Sequence, residues 1–238
     1  MSHILKGAAV SLLEEIRSLD IKDVLHLVQE QFPNAITFST SFSNEDQVIT
    51  DLIDKSKVPV NIFTLDTGRL FESTYDTWES TNAHYGIHIK GYSPDTTLLQ
   101  NFLDQHGPNS FYQSVERRKE CCAIRKIAPL KKALQGYAVW VTGIRAEHSI
   151  SRQGSAIIEW DEENKIIKYN PLLHWTTEEV SQYIRQNHLP YNILHDQGYV
   201  SIGCAPCTRA IREDEDFRAG RWWWEDDSKK ECGLHIKQ

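Results

Sequence analysis

Hydrophobic and polar positions along the chain follow two periods, one typical of helices and one typical of buried strands. Apolar residues recur at helical spacing over 8–16 and 21–32, which predicts two helices at the start of the chain. Strand-like apolar runs then alternate with amphipathic segments, and in chain order these five elements cover residues 34–40, 43–56, 58–66, 70–86 and 87–92. This βαβαβ order predicts an α/β fold, a doubly wound and mostly parallel sheet with helices on both faces and right-handed crossovers.

The second half of the chain continues the alternation. Residues 121–134, 137–143 and 155–170 read as a basic helix, a strand and a hairpin. The next helix begins with a capping box, in which Thr176 is the N-cap and Glu179 the third helical residue. These elements extend the same α/β domain.

The periodic pattern weakens from about Cys207 onward. The last stretch mixes charged residues with three adjacent tryptophans at 222–224, and the chain shows no internal repeat or low-complexity linker. We therefore predict an α/β domain over residues 1–207 and a flexible C-terminal segment over 208–238.

Composition and charge exclude several classes of protein. The 238 residues are 40% hydrophobic and 25% charged, which is ordinary for a globular protein. The formal net charge of -7 argues against general nucleic-acid binding, which needs a basic face. No apolar run approaches the roughly 18 residues that span a bilayer, and the start of the chain lacks an export signal. We expect a cytoplasmic protein that does not enter a membrane.

One basic segment stands out in this acidic chain. Residues 115–132, with the sequence VERRKECCAIRKIAPLKK, concentrate lysine and arginine around two cysteines. Such a segment indicates either a site for a small anionic ligand or a solvated helix face.

Two polar turns follow predicted strands and are candidate ligand sites. After the first strand, a hydroxyl-rich turn contains Ser39, Ser41, Phe42 and Ser43. Backbone N–H groups in such a turn, at a helix N-terminus, can bind phosphate or sulfate, although an ordinary polar loop has the same composition. After the second strand, Asp66 is a candidate acceptor for a ribose hydroxyl or an amine, with a helix N-cap as the alternative.

Five cysteines divide into two pairs and one residue near the end of the chain. Cys121 and Cys122 are adjacent, Cys204 and Cys207 form a CxxC pair, and Cys232 stands alone. The odd number argues against a disulfide framework. Four thiolates can hold zinc or an iron–sulfur cluster, and a redox dithiol at the CxxC pair is a further alternative.

Arginines and a histidine accompany these features. Arg145 and Arg152 follow a predicted strand, where arginine can bind phosphate or sulfate in a bidentate manner, although surface salt bridges are the alternative. Near the end of the chain, the candidate residues are Arg218, Arg221, Cys232 and His235.

The motifs together resemble those of a known family. Seven segments carry the resemblance, over about 34–235: STSFSNED, TLDTGRLFESTY, KECCAIRKIAPL, TGIRAEHSISR, GCAPCTRAI, EDFRAGRWWWE and ECGLH. The chain is similar to the assimilatory sulfonucleotide reductases, specifically the iron–sulfur adenylylsulfate (APS) reductases, which are often labelled phosphoadenylylsulfate (PAPS) reductases. The resemblance implies an adenine nucleotide alpha hydrolase-like fold with a sulfonucleotide site in the α/β domain.

The resemblance also implies roles for individual residues. It implies a [4Fe–4S] cluster on Cys121, Cys122, Cys204 and Cys207, and attack of Cys232 on the substrate sulfur. It carries an anion-binding role over to Lys126, Arg145, Arg152, Arg218, Arg221 and His235. The chain departs from the family pattern in two places, with Ser43 in place of a common glycine and His148 in place of a common glutamine.

The implied reaction needs a second thiol. If Cys232 keeps a thiosulfonate after AMP leaves, another thiol must attack its sulfur to release sulfite. With four cysteines committed to a cluster, that thiol comes from outside, so thioredoxin or glutaredoxin is the expected partner.

Other functions stay open at this stage. A zinc-stabilised enzyme of the ATP pyrophosphatase type, for example one that modifies tRNA, would share the type of turn, although it would need an SGGKDS-like sequence where this chain has STSFSNED. A redox-sensing binding protein is a third hypothesis. Within the family, PAPS is the alternative substrate to APS. The sequence leaves the oligomeric state open, a homo-oligomer included.

Overall fold

The computed structural model describes residues 2–148 and 154–225, which form helices, strands and short 3-10 turns. The strands in this part of the chain are β1 Ile36–Thr40, β2 Asn61–Leu65, β3 Lys90–Tyr92, β4 Val139–Val141, β5 Ile158–Asp161 and β6 Ile166–Tyr169. The α-helices are α1 Ser2–Glu15, α2 Ile21–Gln31, α3 Asn44–Ser56, α4 Glu72–Tyr85, α5 Thr96–His106, α6 Val115–Cys122, α7 Ala128–Ala133 and α8 Thr177–Asn187.

The strands form one sheet in the order β3-β2-β1-β4-β6-β5. Neighbouring strands are parallel except for β5, which pairs antiparallel with β6. The chain runs outward from β1 to β3 and then returns to place β4 on the other side of β1, so the strand order reverses between β1 and β4. This confirms the predicted doubly wound, mostly parallel sheet, and such a reversal is where ligands usually bind.

Both faces of the sheet are covered by apolar side chains. Val139 and Val141 of β4 belong to a core with α1, α2, α3 and α8, whereas Trp140 between them packs with Leu130 and Ala133 of α7 on the opposite face. Alternate residues of a strand point to opposite faces, so a strand buried on both sides is apolar throughout.

Local signals in the sequence position several helices as expected. The Thr176 hydroxyl accepts a hydrogen bond from the Glu179 N–H at 3.2 Å, and the Glu179 carboxylate accepts one from the Thr176 N–H at 2.7 Å. This reciprocal pair satisfies two N–H groups that would otherwise lack partners at the start of α8. It confirms the predicted capping box.

The basic helix differs from its prediction over 121–134. It begins at Val115, because Ser114 is a good N-cap and its hydroxyl accepts a hydrogen bond from the Arg117 N–H at 3.2 Å. It is also not one regular α-helix, since a π-helical turn over Ala123–Ile127 separates α6 from α7. Short π-helical segments inside α-helices are frequent at functional sites.

The first part of the segment predicted to be flexible packs on the domain. Thr208 and Arg221 form an isolated antiparallel bridge, and Trp222 is 1% exposed. The predicted division at residue 207 stays a prediction for 226–238, which lie outside the described residues. Among the helices of the described residues, none combines the length and the apolar character needed to cross a membrane.

Candidate active site

A cavity of about 200 Å³ lies at the carboxyl edge of the sheet, at the reversal between β1 and β4. Its walls come from the segments that follow β1, β2 and β4, and from two stretches near the end of the described chain, 200–203 and 217–222. The fold therefore brings the predicted turn, part of the basic segment and the tryptophan-rich segment around one space.

The turn after β1 supplies the polar wall. Ser39, Ser41 and Ser43 all line the cavity, and their role in binding stays a prediction. Ser43 has a φ of -74° and precedes α3 as its N-cap residue, without a side-chain capping bond. This backbone conformation needs no glycine, so the departure from the family pattern at this position causes no backbone strain.

Phe42 takes the strained conformation instead. Its φ is 60°, in the left-handed region that residues with a Cβ seldom adopt. Its side chain is 1% exposed and stacks on Trp78 with ring centroids 5.7 Å apart, and it does not line the cavity. The burial of the ring offsets the cost of the backbone conformation. Phe42 thus stabilises the turn without facing the cavity.

Asp46 also lines the cavity, although no sequence pattern indicated it. Its carboxylate accepts hydrogen bonds from the Ser41 N–H at 2.6 Å and from the Ser41 hydroxyl at 2.8 Å. Burial, and then the negative charge of Glu45, raise the pKa of Asp46 to about 7, against the lowering effect of these hydrogen bonds. A Cβ at Gly143 would collide with the same carboxylate, so Asp46 fixes the turn after β1 against the loop after β4.

Another part of the cavity lining is cationic. Lys126, Arg218 and Arg221 line the cavity, and the anion-binding role that the family resemblance implies for them stays a prediction. Arg221 is 7% exposed, donates a hydrogen bond to the Ile202 carbonyl at 3.3 Å, and packs where a Cβ at Gly203 would collide with its guanidinium. Charged donors in such a setting bind phosphate and sulfate oxygens strongly.

Two predicted ligands lie elsewhere. Asp66 accepts hydrogen bonds from the Gly68 N–H at 2.8 Å and the Tyr75 hydroxyl at 2.7 Å, so it stabilises its own turn. Arg145 is 2% exposed and does not line the cavity. It donates to Glu147 at 2.7 Å, to the Trp175 carbonyl at 3.0 Å and to Thr177 at 3.0 Å.

Three further predicted residues fall on parts of the chain that are not described. Arg152, Cys232 and His235 lie outside the described residues, and their assigned roles stay predictions.

The two cysteine pairs line a second, smaller cavity that shares Lys126 with the first. Cys121 and Cys122 end α6, while Cys204 precedes a 3-10 turn over Ala205–Cys207 and Cys207 ends it. The two pairs thus come together although some eighty residues of sequence separate them. Within the described residues these four thiols form no disulfide.

The surroundings of the cysteines are cationic. Arg69, Arg118, Arg125 and Lys126 line the same small cavity, along with Phe111 and Pro206. Consecutive residues on an α-helix point about 100° apart, yet Cys121 and Cys122 both line this space, immediately before the π-helical turn.

The thiols titrate differently because their neighbours differ. Burial raises the pKa of Cys207 to about 12, and the charges of Cys204 and Cys122 add to this effect. Burial also acts to raise the pKa of Cys204, but Lys126 and the Thr67 hydroxyl, 3.2 Å from its Sγ, outweigh that effect, so the pKa is lowered. Lys126 and the Thr67 hydroxyl thus favour the thiolate form of Cys204.

The fold and the cavity define an α/β protein with a partly cationic cavity at the reversal of strand order, where such folds usually bind ligands. The profile of the phosphoadenosine phosphosulfate reductase domain matches residues 35–210. The adenosine 5'-phosphosulfate reductase of Allochromatium vinosum is 46% identical over 98% of this chain and 86% of its own length. The chain belongs to the phosphoadenosine phosphosulfate reductase family, and it is an oxidoreductase that acts on the sulfur of a sulfonucleotide in sulfate assimilation.

Solved structures agree with this assignment. The phosphoadenylyl-sulfate (PAPS) reductase from Candida auris, as a phosphate complex, has a TM-score of 0.72 and 31% identity, and covers 85% of this chain and 96% of its own. The Candida glabrata FMN adenylyltransferase has a TM-score of 0.54 at 14% identity, covering 97% of this chain and 85% of its own, which shows the fold alone. These neighbours confirm the predicted adenine nucleotide alpha hydrolase-like fold.

Proposed function

We propose that this enzyme reduces APS to sulfite and AMP through a thiosulfonate on Cys232, with thioredoxin or glutaredoxin as the reductant, in the cytoplasm. The observation that carries the proposal is the joint position of Lys126, which lines both the anion cavity and the cysteine cavity. Relatives that match nearly the full chain and carry the name adenosine 5'-phosphosulfate reductase support APS as the substrate.

The cavity walls would divide the work of binding. Lys126, Arg218 and Arg221 neutralise the phosphate and sulfate oxygens, since charge-assisted hydrogen bonds are about twice as strong as neutral ones. The N-terminus of α3 offers N–H groups to the same cavity, whereas the Ser41 N–H and hydroxyl already donate to Asp46.

The chemistry would proceed in two displacement steps. The Cys232 thiolate attacks the sulfur, an S–S bond forms, and the S–O bond to the AMP phosphate breaks with its electron pair leaving on AMP. An external thiolate then attacks the Cys232 sulfur and sulfite leaves with the electron pair of the S–S bond. The second thiol of the partner closes a disulfide and frees Cys232, so the dithiol is oxidised while the substrate sulfur is reduced to sulfite.

We propose that Cys121, Cys122, Cys204 and Cys207 hold a [4Fe–4S] cluster. The donor set fits, because four thiols line one cavity with cations that would balance an anionic cluster. Zinc on the same four thiols is the alternative, and the iron content of the purified protein decides between the two. When bound, the cluster would supply a delocalised negative charge beside Lys126.

Cys207→Ser tests the cluster. Serine removes one thiolate ligand at nearly constant size, so we expect the purified variant to lose iron, the broad absorption near about 400 nm and activity together. The matched control is a serine at Cys232, which should keep full iron and absorption. A Cys207→Ser protein with full iron content would contradict the ligand assignment.

The covalent step has a direct test. Enzyme mixed with APS without any reductant should gain about 80 Da, one SO3 group, on the peptide that contains Cys232, and release about one AMP per active site. Reduced thioredoxin should then release sulfite and remove the added mass. Steady AMP release without reductant, or the added mass on Cys204 or Cys207, would overturn the mechanism.

PAPS is the second candidate substrate. The matching family profile and the Candida auris neighbour carry that name. Comparing kcat/KM for APS and PAPS on one preparation decides between them, and a higher value for PAPS would replace our first choice.

A further inference from the structure

We propose that Trp140 orients the Ser39 hydroxyl as a hydrogen-bond donor to the sulfonucleotide. Ser39 lines the anion cavity and Trp140 does not, so Ser39 touches the ligand and Trp140 is a positioning residue that acts through it. The inference rests on the proposed use of this cavity for a sulfonucleotide. It adds a donor that selects an acceptor atom of that ligand.

The sheet brings these two side chains together. In the register of β1 with β4, Thr37 lies opposite Trp140. Ser39 is two residues further along β1, so its side chain points to the same face of the sheet as that of Thr37. This is the face on which Trp140 packs against α7. There the Trp140 Nε1 donates a hydrogen bond to Ser39 Oγ at 2.9 Å.

The indole of Trp140 is held in place around this bond. The side chain is buried, and the Lys168 ammonium lies 5.4 Å from its ring centroid. A cation over the face of an indole is attracted to the ring, and a buried indole N–H needs an acceptor. Trp140 therefore keeps its donor on Ser39.

This hydrogen bond gives the Ser39 hydroxyl a direction. A serine hydroxyl has one hydrogen to donate and lone pairs with which to accept. Trp140 uses the accepting side, and within residues 2–148 and 154–225 no acceptor takes the hydrogen. Ser39 is also the one residue of β1 that is not buried. Its hydrogen is therefore available to an acceptor in the cavity.

The neighbouring Ser41 differs in this respect. Its N–H and its hydroxyl both donate to the Asp46 carboxylate, at 2.6 and 2.8 Å, so its hydrogen is already used within the protein. Ser39 instead offers a donor whose orientation is set before the ligand arrives. Such a donor favours an oxygen or an unprotonated ring nitrogen of the nucleotide, and a ligand N–H at the same point would lack a partner.

A double-mutant cycle tests the assignment, because two residues that act through one hydroxyl should not have additive effects. The measured quantity is the dissociation constant for APS, determined by calorimetry without reductant in a Cys232→Ser background. Ser39→Ala removes the donor, so we expect APS to bind about two- to tenfold more weakly.

Trp140→Phe keeps an aromatic ring beside Lys168 but removes the indole N–H. The Ser39 hydroxyl then loses its fixed orientation. Its χ1 and O–H torsions have about three wells each, so APS should bind about three- to ninefold more weakly. In the presence of Ser39→Ala, Trp140→Phe should change the dissociation constant by less than about twofold, because no hydroxyl is left to orient. A general distortion of the cavity would weaken binding in both backgrounds.

The matched control is Trp160→Phe. Trp160 lies on β5, its indole N–H also donates to a side chain, that of Glu162, and it lines neither cavity. This variant should bind APS as tightly as its Cys232→Ser parent. If Trp140→Phe does not fold, Ser39→Ala alone still tests whether the hydroxyl contacts the ligand.

Two results would overturn the proposal: unchanged APS affinity in Ser39→Ala, or equal losses from Trp140→Phe with and without the Ser39 hydroxyl. Failure of the proposed function is separate, since the wild-type enzyme would then show no added mass on Cys232.

Discussion

Two arginine-bearing segments flank the carboxyl edge of the sheet, and their buried arginines have different surroundings. In the loop after β4, Arg145 is 2% exposed and donates to Glu147, Trp175 and Thr177 within that region. In the segment 217–225, Arg221 is 7% exposed and lines the cavity beside Gly203. Burial alone therefore does not identify a ligand-binding arginine, whereas the position of its guanidinium relative to the cavity does.

The largest expected effect separates the two arginines. Arg221→Ala should lower kcat/KM about ten- to hundredfold, because one charge-assisted hydrogen bond contributes about 1.5–3 kcal/mol. Arg145→Ala should keep kcat/KM within about threefold but lower the free energy of unfolding by about 2 kcal/mol, since it loses three hydrogen bonds in a buried site. Kinetics at low temperature and urea unfolding measure both quantities. A hundredfold loss in Arg145→Ala at unchanged stability would reverse the comparison.

A smaller effect concerns Asp46 and the pH dependence of APS affinity. The pKa of Asp46 is raised to about 7, so its carboxyl is neutral below that pH and charged above it. A charged Asp46 repels the sulfonucleotide, whose own charge is constant because its acidic groups are strong acids. In a Cys232→Ser background, APS affinity should therefore fall by up to about tenfold from pH 6 to pH 8.

Asp46→Asn is the control for this pH effect. The amide keeps an acceptor for the Ser41 N–H but cannot ionise, so the affinity should no longer change over the same range. Glu45, Lys126, Arg218 and Arg221 line the same cavity, and burial lowers the pKa of His195 against the raising effect of the Glu45 charge. An equal pH dependence in both proteins would assign the titration to another group.

The smallest effect tests the surroundings of Arg145. Hydrogen bonds from Thr177 and Arg145 outweigh burial and lower the pKa of Glu147, so its charged form stabilises the fold. That contribution is present above the ordinary pKa of 4.5 and is lost as pH falls through the lower, folded-state value. Glu147→Gln should cost under about 1 kcal/mol at pH 7, because the carboxylate is half exposed.

Comparing wild type with Glu147→Gln by urea unfolding at several pH values checks this sign. The difference in the free energy of unfolding between the two proteins should shrink as the pH falls below about 4.5. A difference that grows on acidification would contradict the assignment.

The sequence predicted the elements well where apolar periodicity and capping acted locally. Residues 34–40 and 43–56 became β1 and α3, and the capping box at Thr176 formed as predicted. The π-helical turn after Cys122 was not predictable, because its sequence AIRKI fits an α-helix equally well.

The sequence indicated which types of residue belong to the candidate site, but not which of their side chains face the cavity. Lys126, Arg218 and Arg221 line the cavity, but Arg145 does not, because Glu147 and Thr177 lie within reach of its long side chain. Asp46 was missed although its position just after the serine turn offered a signal. A carboxylate in the first turn of a helix reads as an ordinary helix-start residue, and its burial follows from the loop at Gly143, far away in sequence.

The two edge strands of the sheet affect whether this protein aggregates at high concentration. One edge, β3, has only three residues. At the other edge, β5 turns Glu159 and Asp161 toward the buried Lys168 of β6, at 3.6 and 3.3 Å. A short edge and an edge with charges turned inward are both poor templates for a strand of another molecule. The sheet therefore resists edge-to-edge aggregation, and the enzyme can accumulate without polymerising through its strands.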